Sequence, residues 1–423
     1  MAGMQSASSL DARWPDLVAA VSAVIDLDAT ARASGALVRR RGVRSAATLL
    51  RLALAYGPGG LSLRSAATWA GVHGLADLSD TAVMKRLRKA ADWLGEIAGA
   101  LLRRAAAAPA VAGPLPGRRL RIADGSVIPR PGGKGAGWRL HATYDPVAGR
   151  LTDLDLTDDR GAEGFGHTAW RAGDVALGDR CYARPPALRQ LLAAGADFIV
   201  RTGWARLRLV EADGAPLAWE PLFGALAPGE VTERAVVVDY SGQGGRSRGK
   251  AAFPARLIVL RLPPEAAERA TEAVRRKHRR HYARRRLLPL TVQSAGYLML
   301  VTSLPPSVTA AEVLAAYRLR WQVELAFRRL KGLLGLGRLP AKGEALARSW
   351  LLAHLIFALL IEDASQDLLA VPPSAAGDFR AAPARLALAR RAGAARRGAR
   401  RHPRRADRHR PARRTRPALQ APP

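Results

Sequence analysis

Apolar positions recur at helical spacing through the first hundred residues. Amphipathic segments cover roughly 12–24, 30–41 and 43–56, with Thr30 placed to cap the second and Gly35 weakening it. The third stops at Gly57-Pro-Gly-Gly60, a strong breaker. Ser62 is placed to cap a short helix to Ala70, and Gly71-Val-His-Gly74 makes a turn. Ser79 is placed to cap a second helix carrying Lys85, Arg86, Arg88 and Lys89. Helix, short turn and basic helix form a helix-turn-helix-like order. Residues 1–103 are therefore expected to form an all-α N-terminal domain.

The period then changes. Residues 104–118 are rich in Ala, Pro and Gly and read as a linker. Residues 119–123 alternate and end in Asp124-Gly-Ser126. Strands are expected at 137–144 and 150–157, with a turn at Asp145-Pro-Val-Ala-Gly149. A helix end is expected at 168–171 and an apolar strand at 174–178, closing on Asp179-Arg-Cys-Tyr182. A helix at 185–194 and a strand at 197–201 complete this part. A three-strand meander followed by alternating helices and strands predicts a mixed sheet flanked by helices.

From 204 to 290 the reading is an inserted, mainly-β subdomain, with strands at 205–210, 231–240 and 255–262. A basic helix over 264–282 carries the run Arg275-Arg-Lys-His-Arg-Arg280. A buried strand at 297–303 leads back to the sheet, and 345–361 reads as an apolar core helix. Between them, 310–334 reads as one helix, with Gly335 and Gly337 available to end it. At about 100° per residue, Tyr317, Arg320, Glu324 and Lys331 share one arc of that helix, and Leu319, Val323, Ala326 and Leu330 share another. The second arc is a core stripe. The first holds a carboxylate, two cations and a phenol, the groups a metal-and-phosphate site needs.

Charge sharpens this picture. The net charge of +32 calls for a polyanionic partner, of which nucleic acid is the commonest. Part of the excess reflects the Arg, Ala, Gly and Pro usage of a GC-rich gene. Residues 377–423 hold fifteen Arg and two Asp and too few large apolar residues for a core. They read as a disordered tail, either a DNA-clinging arm or a frameshifted end. A single cysteine, Cys181, excludes a disulfide framework and a multi-Cys zinc site within one chain. No signal peptide is visible, and the apolar run 350–361 is too short to span a bilayer and is broken by His354. The chain is expected to be cytoplasmic, with no membrane partner.

The spacing Tyr317-x2-Arg320-x3-Glu324-x6-Lys331 resembles the signature of the DDE transposases in the insertion-sequence-four family. Asp124-Gly-Ser and Gly-Asp179-Arg-Cys-Tyr resemble the family's first and second acidic blocks, with Cys181 where relatives often have Gly. The gaps are 55 residues from Asp124 to Asp179 and 145 from Asp179 to Glu324, the second lengthened by the insertion. The resemblance covers roughly 115–365, and more weakly 61–94. It implies an RNase H-like catalytic core formed by 119–203 and 291–366. It implies Asp124, Asp179 and Glu324 as catalytic residues and ligands of two Mg²⁺ ions, with Mn²⁺ as a substitute. It also implies phosphate contacts by Tyr317, Arg320 and Lys331 and recognition of the element's ends by the N-terminal helical region. The partners implied are the terminal inverted repeats and target DNA, with a homodimer once two ends are paired. Alone, each acid has a plainer reading: a turn or cap for Asp124 and Asp179, and an i±4 pair with Arg320 or Arg328 for Glu324. Tyr182 and Trp321 read as packing residues. Asp153 and Asp155, in an acidic cluster with Asp158, Asp159 and Glu163, rank below the three as ligands. A decayed or domesticated DNA-binding protein and a nuclease of the same fold are the alternatives.

Overall fold

The computed structural model describes residues 13–107, 113–129, 131–132, 136–158, 161–239, 252–282, 284–332, 335–336, 339–341 and 343–369. The Arg-rich segment 377–423, Asp159 and Gly337 lie outside the described residues. Among the described residues six helices come first: α1 (Trp14–Ser22), α2 (Leu27–Ala33), α3 (Ala46–Tyr56), α4 (Leu63–Val72), α5 (Asp80–Lys89) and α6 (Ala91–Ala107). Asp26, Ser45, Ser62 and Ser79 each accept a bond from the amide three residues on, satisfying a donor the helix leaves open. The Ser62 and Ser79 caps are those the sequence predicts. Thr30 is not a cap. Asp26 starts that helix earlier, and the Thr30 hydroxyl lies inside it, donating to the Asp26 carbonyl and accepting from Trp93 Nε1. Gly35, at φ +74°, turns the chain just past Ala33, so no helix runs to 41.

A nine-stranded mixed sheet follows: β1 (Arg119–Pro129), β2 (Ala136–Asp145), β3 (Arg150–Asp158), β4 (Asp174–Gly178), β5 (Asp197–Arg201), β6 (Leu209–Val210), β7 (Val231–Val238), β8 (Phe253–Arg261) and β9 (Tyr297–Thr302). Its order is β3-β2-β1-β4-β5-β9-β8-β7-β6. β1 to β3 form the expected antiparallel meander, and β4 and β5 run parallel to β1. β9 returns antiparallel between β5 and β8. The strands of 204–290 therefore extend this sheet and do not build one of their own. Residues 168–171 are not helical. A 3-10 turn (Phe165–His167) comes before them, and Trp170 Nε1 donates back to the Phe165 carbonyl.

One face of the sheet carries the N-terminal helices together with α11 (Ala310–Arg318), α12 (Trp321–Gly332) and α13 (Glu344–Leu369). The other carries α7 (Pro185–Ala193) and α8 (Trp219–Gly224). Two further helices, α9 (Pro264–His281) and α10 (Pro289–Gln293), link β8 to β9, and α9 buries no residue. Strand alternation sends Ile122 and Ile128 into the first layer and Ala123 into the second. By length and composition α13 could cross a membrane, but 67% of its apolar stretch is buried inside the protein, against α3, α5 and α6. Ser349 Oγ of α13 donates to the Leu87 carbonyl at 2.5 Å.

An ion network ties the lower ends of β1, β3 and β4. Asp174 is fully buried, and its two oxygens take Arg119 Nε at 2.6 Å and Arg121 Nη1 at 2.9 Å. Arg121 also pairs with Asp153 and lies over the Trp170 ring.

Candidate active site

The parallel register between β1 and β4 sets the geometry of the first two acids. Ile122 pairs with Leu177, and β4 ends one residue later at Gly178. β1 does not end there. It runs on to Pro129 as a hairpin with β2, so Asp124 is a mid-strand residue and not the strand-ending one that the alternation predicts. Continuing the parallel register by two residues brings Asp124 level with Asp179, across strands that lie about 4.8 Å apart. Gly178 permits the turn that follows. A Cβ there would meet Tyr182 Cβ at 2.6 Å and Phe165 Cζ at 2.8 Å. Tyr182 is buried, as expected of a packing residue. Asp179 Oδ1 accepts the Cys181 amide at 2.7 Å, and Arg206 holds the carbonyls of Arg180 and Cys181. Cys181 is exposed, and its thiol is pushed up by partial burial and by the charges of Asp179 and Glu163.

Asp124 shares its face with Ile122 and Ile128, toward α12. Its Oδ1 accepts the Gly125 amide at 2.8 Å. Its carboxyl is pushed up to about 6, chiefly by burial and further by Asp179 and Glu163, against the Gly125 amide and Arg320.

The signature segment is not one helix. α11 opens with a capping box between Thr309 and Glu312 and stops at Arg318. Tight bonds from the Arg320 amide to the Tyr317 carbonyl and from the Gln322 amide to the Leu319 carbonyl break the ladder before α12 begins. The single arc expected through Tyr317, Arg320, Glu324 and Lys331 is thus interrupted. Tyr317 is buried, and its hydroxyl is pushed up, first by burial; Arg320, Arg201 and Asp179 all act on it. Arg320 sits in the break and donates to Glu324 Oε1 at 2.6 Å. Glu324 is exposed in the first turn of α12. At the far end Lys331 Nζ reaches across to β1 and donates to the Val127 carbonyl at 2.8 Å. Partial burial pulls the Lys331 ammonium down. Trp321 is 53% exposed and packs less than the sequence suggests.

Of the rival acids, Asp153 is committed to Arg121, and Asp155 Oδ2 accepts from His167 Nδ1 at 2.7 Å. Two residues the sequence does not single out, Arg180 and Arg201, and one it names only within the acidic cluster, Glu163, lie beside the site. Arg180, exposed at the turn, is pulled down by burial and then by the charge of Arg201. Arg201 closes β5, and its Nε is buried without a bond among the described residues. Glu163 acts on Asp124, Cys181 and Tyr182 alike. An arginine directly after a strand-ending acid, and another at a strand end, are signals that could have marked the first two.

Oxygen-only donors suit a hard divalent cation. Two carboxylates at one level, with Asp179 helping to push Asp124 up, leave negative charge that such an ion would neutralise, so Asp124 and Asp179 fit one. Among the described residues no three His, Cys, Asp or Glu side chains are gathered into a ready-made metal cage. The three acids named by the sequence are therefore not gathered into one cluster among the described residues. Glu324 stays tied to Arg320 instead.

A transposase DDE domain model matches residues 115–360, which is more than half of the chain. The chain belongs to the DDE transposase family. It is 45% identical, over 370 residues, to the InsL protein for insertion sequence element IS186A of Escherichia coli strain K12, covering 86% of this chain and 97% of that protein. It is also 45% identical, over 371 residues and with the same coverage, to the transposase for insertion sequence element IS421 of Escherichia coli. Among solved structures, a piggyBac transposase in a synaptic complex with hairpin DNA aligns over 82% of this chain and 68% of that chain. The identity is 10% and the TM-score 0.40, a likeness too loose to argue from.

Proposed function

We propose that the chain cuts DNA at the ends of an insertion sequence and joins the freed ends to target DNA, on an RNase H-like core. The observation that carries this reading is the level pair Asp124 and Asp179 at the upper edge of β1 and β4, faced by α12 with its Glu324. Asp124 and Asp179 would hold the divalent ions, Mg²⁺ first, with Glu324 as third ligand once it leaves Arg320. When bound, two such ions supply an activated water or hydroxyl and neutralise the leaving oxygen in line. The rest falls to the chain's own groups. Arg320, released by Glu324, and Lys331, released from the Val127 carbonyl, would clamp phosphates beside the cleaved bond. Tyr317 would hydrogen-bond a phosphate there, held by its burial. The 3′-hydroxyl left by the first cut would attack target DNA directly, with no covalent protein–DNA intermediate.

A division of labour follows. The helices before residue 103 would read the terminal repeats, and the sheet would cut. In α5, Lys85, Arg88 and Lys89 are exposed and free to meet phosphate, whereas Arg86 donates to the Arg41 carbonyl at 2.7 Å. Two paired ends require at least two copies of the chain on DNA.

The test is cleavage of a duplex bearing the gene's own flanking end, in Mg²⁺ and in EDTA, by wild type and Glu324→Gln. Cuts at the end that need the metal and vanish in the variant are expected. Cuts that survive the substitution would remove Glu324 from the site. Cuts without joining would point to a nuclease.

A further inference from the structure

Glu163 stands on the segment between β3 and the 3-10 turn, well away in sequence from the three signature acids. Its side chain lies directly on the backbone of β1 beside Asp124: a Cβ on Gly125 would sit 2.7 Å from Glu163 Cγ and 3.2 Å from its Oε1. Gly125 has an ordinary backbone conformation, not the left-handed one. What glycine supplies here is therefore space for a carboxylate.

The segment carrying Glu163 is fastened on both sides. Arg139 Nη1, from β2, donates to the Gly161 carbonyl at 2.6 Å. His167 Nε2 lies 2.9 Å from the Ala162 carbonyl, while its Nδ1 meets Asp155. The His167 ring stacks on His141, 3.5 Å between centroids, and His141 is buried with Nε2 on Thr157 Oγ1. Residues of β2, β3 and the 3-10 turn thus converge to hold two successive carbonyls, and the next residue is Glu163. The carboxylate they deliver is only loosely neutralised: Arg139 Nε is 3.9 Å away, with no hydrogen bond of its own among the described residues. A loose countercharge beside the acid pair leaves net negative potential where a cation would bind.

We infer that Glu163 is a positioning residue of the divalent-metal site, a fourth carboxylate that raises cation affinity from across β1 while Asp124 and Asp179 make the direct bonds. The inference rests on the metal reading of that pair. It assigns Gly125 and the Arg139–His167 fastening to the same purpose.

Mn²⁺ binding to the full chain, measured without DNA by electron paramagnetic resonance, tests it. Glu163→Gln keeps the size and removes the charge; an affinity about tenfold weaker is expected, as for other supporting groups around metals. Glu163→Asp keeps the charge and should recover part of that loss. Gly125→Ala keeps Glu163 but pushes it off β1, and should weaken binding in the same direction. Thermal unfolding without metal shows whether each variant is folded. Wild-type affinity in Glu163→Gln, with Asp124→Asn losing the ion, would overturn the role of Glu163 alone. Wild-type affinity in both would overturn the metal reading and this inference together.

Discussion

Acids stand at two levels of the β1–β4 pair, Asp174 where β4 begins and Asp179 just past its end beside mid-strand Asp124, and the two levels treat them in opposite ways. At the lower end Asp174 is fully buried yet surrounded by Arg119 and Arg121, with Asp153 taking the other side of Arg121. At the upper level, a few residues along, the charge of Asp179 helps push Asp124 up, and Arg320, the arginine that acts against this, is hydrogen-bonded to Glu324. The lower acids have their countercharges built in. The upper acids do not, and their Coulomb repulsion persists until a cation arrives from outside. The lower end holds the sheet together, and the upper end is kept ready for a ligand.

The sharpest way to break this comparison is to remove one acid from each end. At the upper end Asp124→Asn should lower DNA cleavage by at least about a hundredfold, since one preorganised electrostatic group is worth roughly that much or more. Single-turnover cleavage in saturating Mg²⁺ measures it. At the lower end Asp174→Asn should take a carboxylate from Arg119 and from buried Arg121, leaving Arg121 only Asp153, and cost about 3 kcal/mol of stability, the low end of the usual penalty for breaking a buried pair. Urea unfolding measures that loss. If Asp174→Asn left stability untouched and Asp124→Asn unfolded the chain, the two ends would have been assigned the wrong way round.

A second contrast concerns sign. The Asp124 carboxyl is pushed up to about 6. The folded chain therefore keeps that proton at a pH where the unfolded chain has already lost it. Stability drawn from this group is highest below pH 4 and falls as pH rises through about 6. The shift of about two units corresponds to roughly 2–3 kcal/mol at neutral pH. Asp124→Asn should return most of this, so the inactive protein should unfold later than wild type at pH 8 and equally at pH 4. Adding Mg²⁺ should raise the wild-type midpoint and leave the variant's unmoved. Differential scanning calorimetry at the two pH values decides it; a variant less stable than wild type at pH 8 would count against an unpaired Asp124.

Much of this arrangement was legible in the residues. The meander, the strands at 174–178 and 197–201, and the Ser62 and Ser79 caps follow from alternation and cap chemistry, which act locally. The ordered acids come from resemblance to the family's blocks and not from alternation, which puts Asp124 at a strand end where the structure has it mid-strand. Three features were not legible, for three reasons. The break at Leu319-Arg320 carries no Gly or Pro, so periodicity alone runs straight through it. The pairing of β8 with β9 is set by contacts some forty residues apart, and a run of strands between two parts of a core looks the same whether it forms its own sheet or joins the first. Glu163 lies in a Gly-flanked loop among several acids, and only the fold shows that it, and not Asp153 or Asp155, lies against β1 at Gly125, next to Asp124.

The smallest expected effect tests the far end of α12. Lys331 Nζ now donates to the Val127 carbonyl, an ordinary structural bond on a partly exposed side chain. If that is its whole purpose, Lys331→Ala should cost a fraction of a kilocalorie and leave DNA binding alone. If it turns to a phosphate, one released counterion disappears with it. The logarithmic salt dependence of end binding should then flatten by about 0.9 of a unit of slope. Arg320→Ala should flatten it as well, and should also free Glu324, so its metal requirement should move where that of Lys331→Ala does not. Filter binding between 50 and 200 mM salt, run on both variants, separates the two. An unchanged slope in Lys331→Ala would return that lysine to the structural side of the comparison and leave Arg320 as the cation that α12 brings to the cleaved strand.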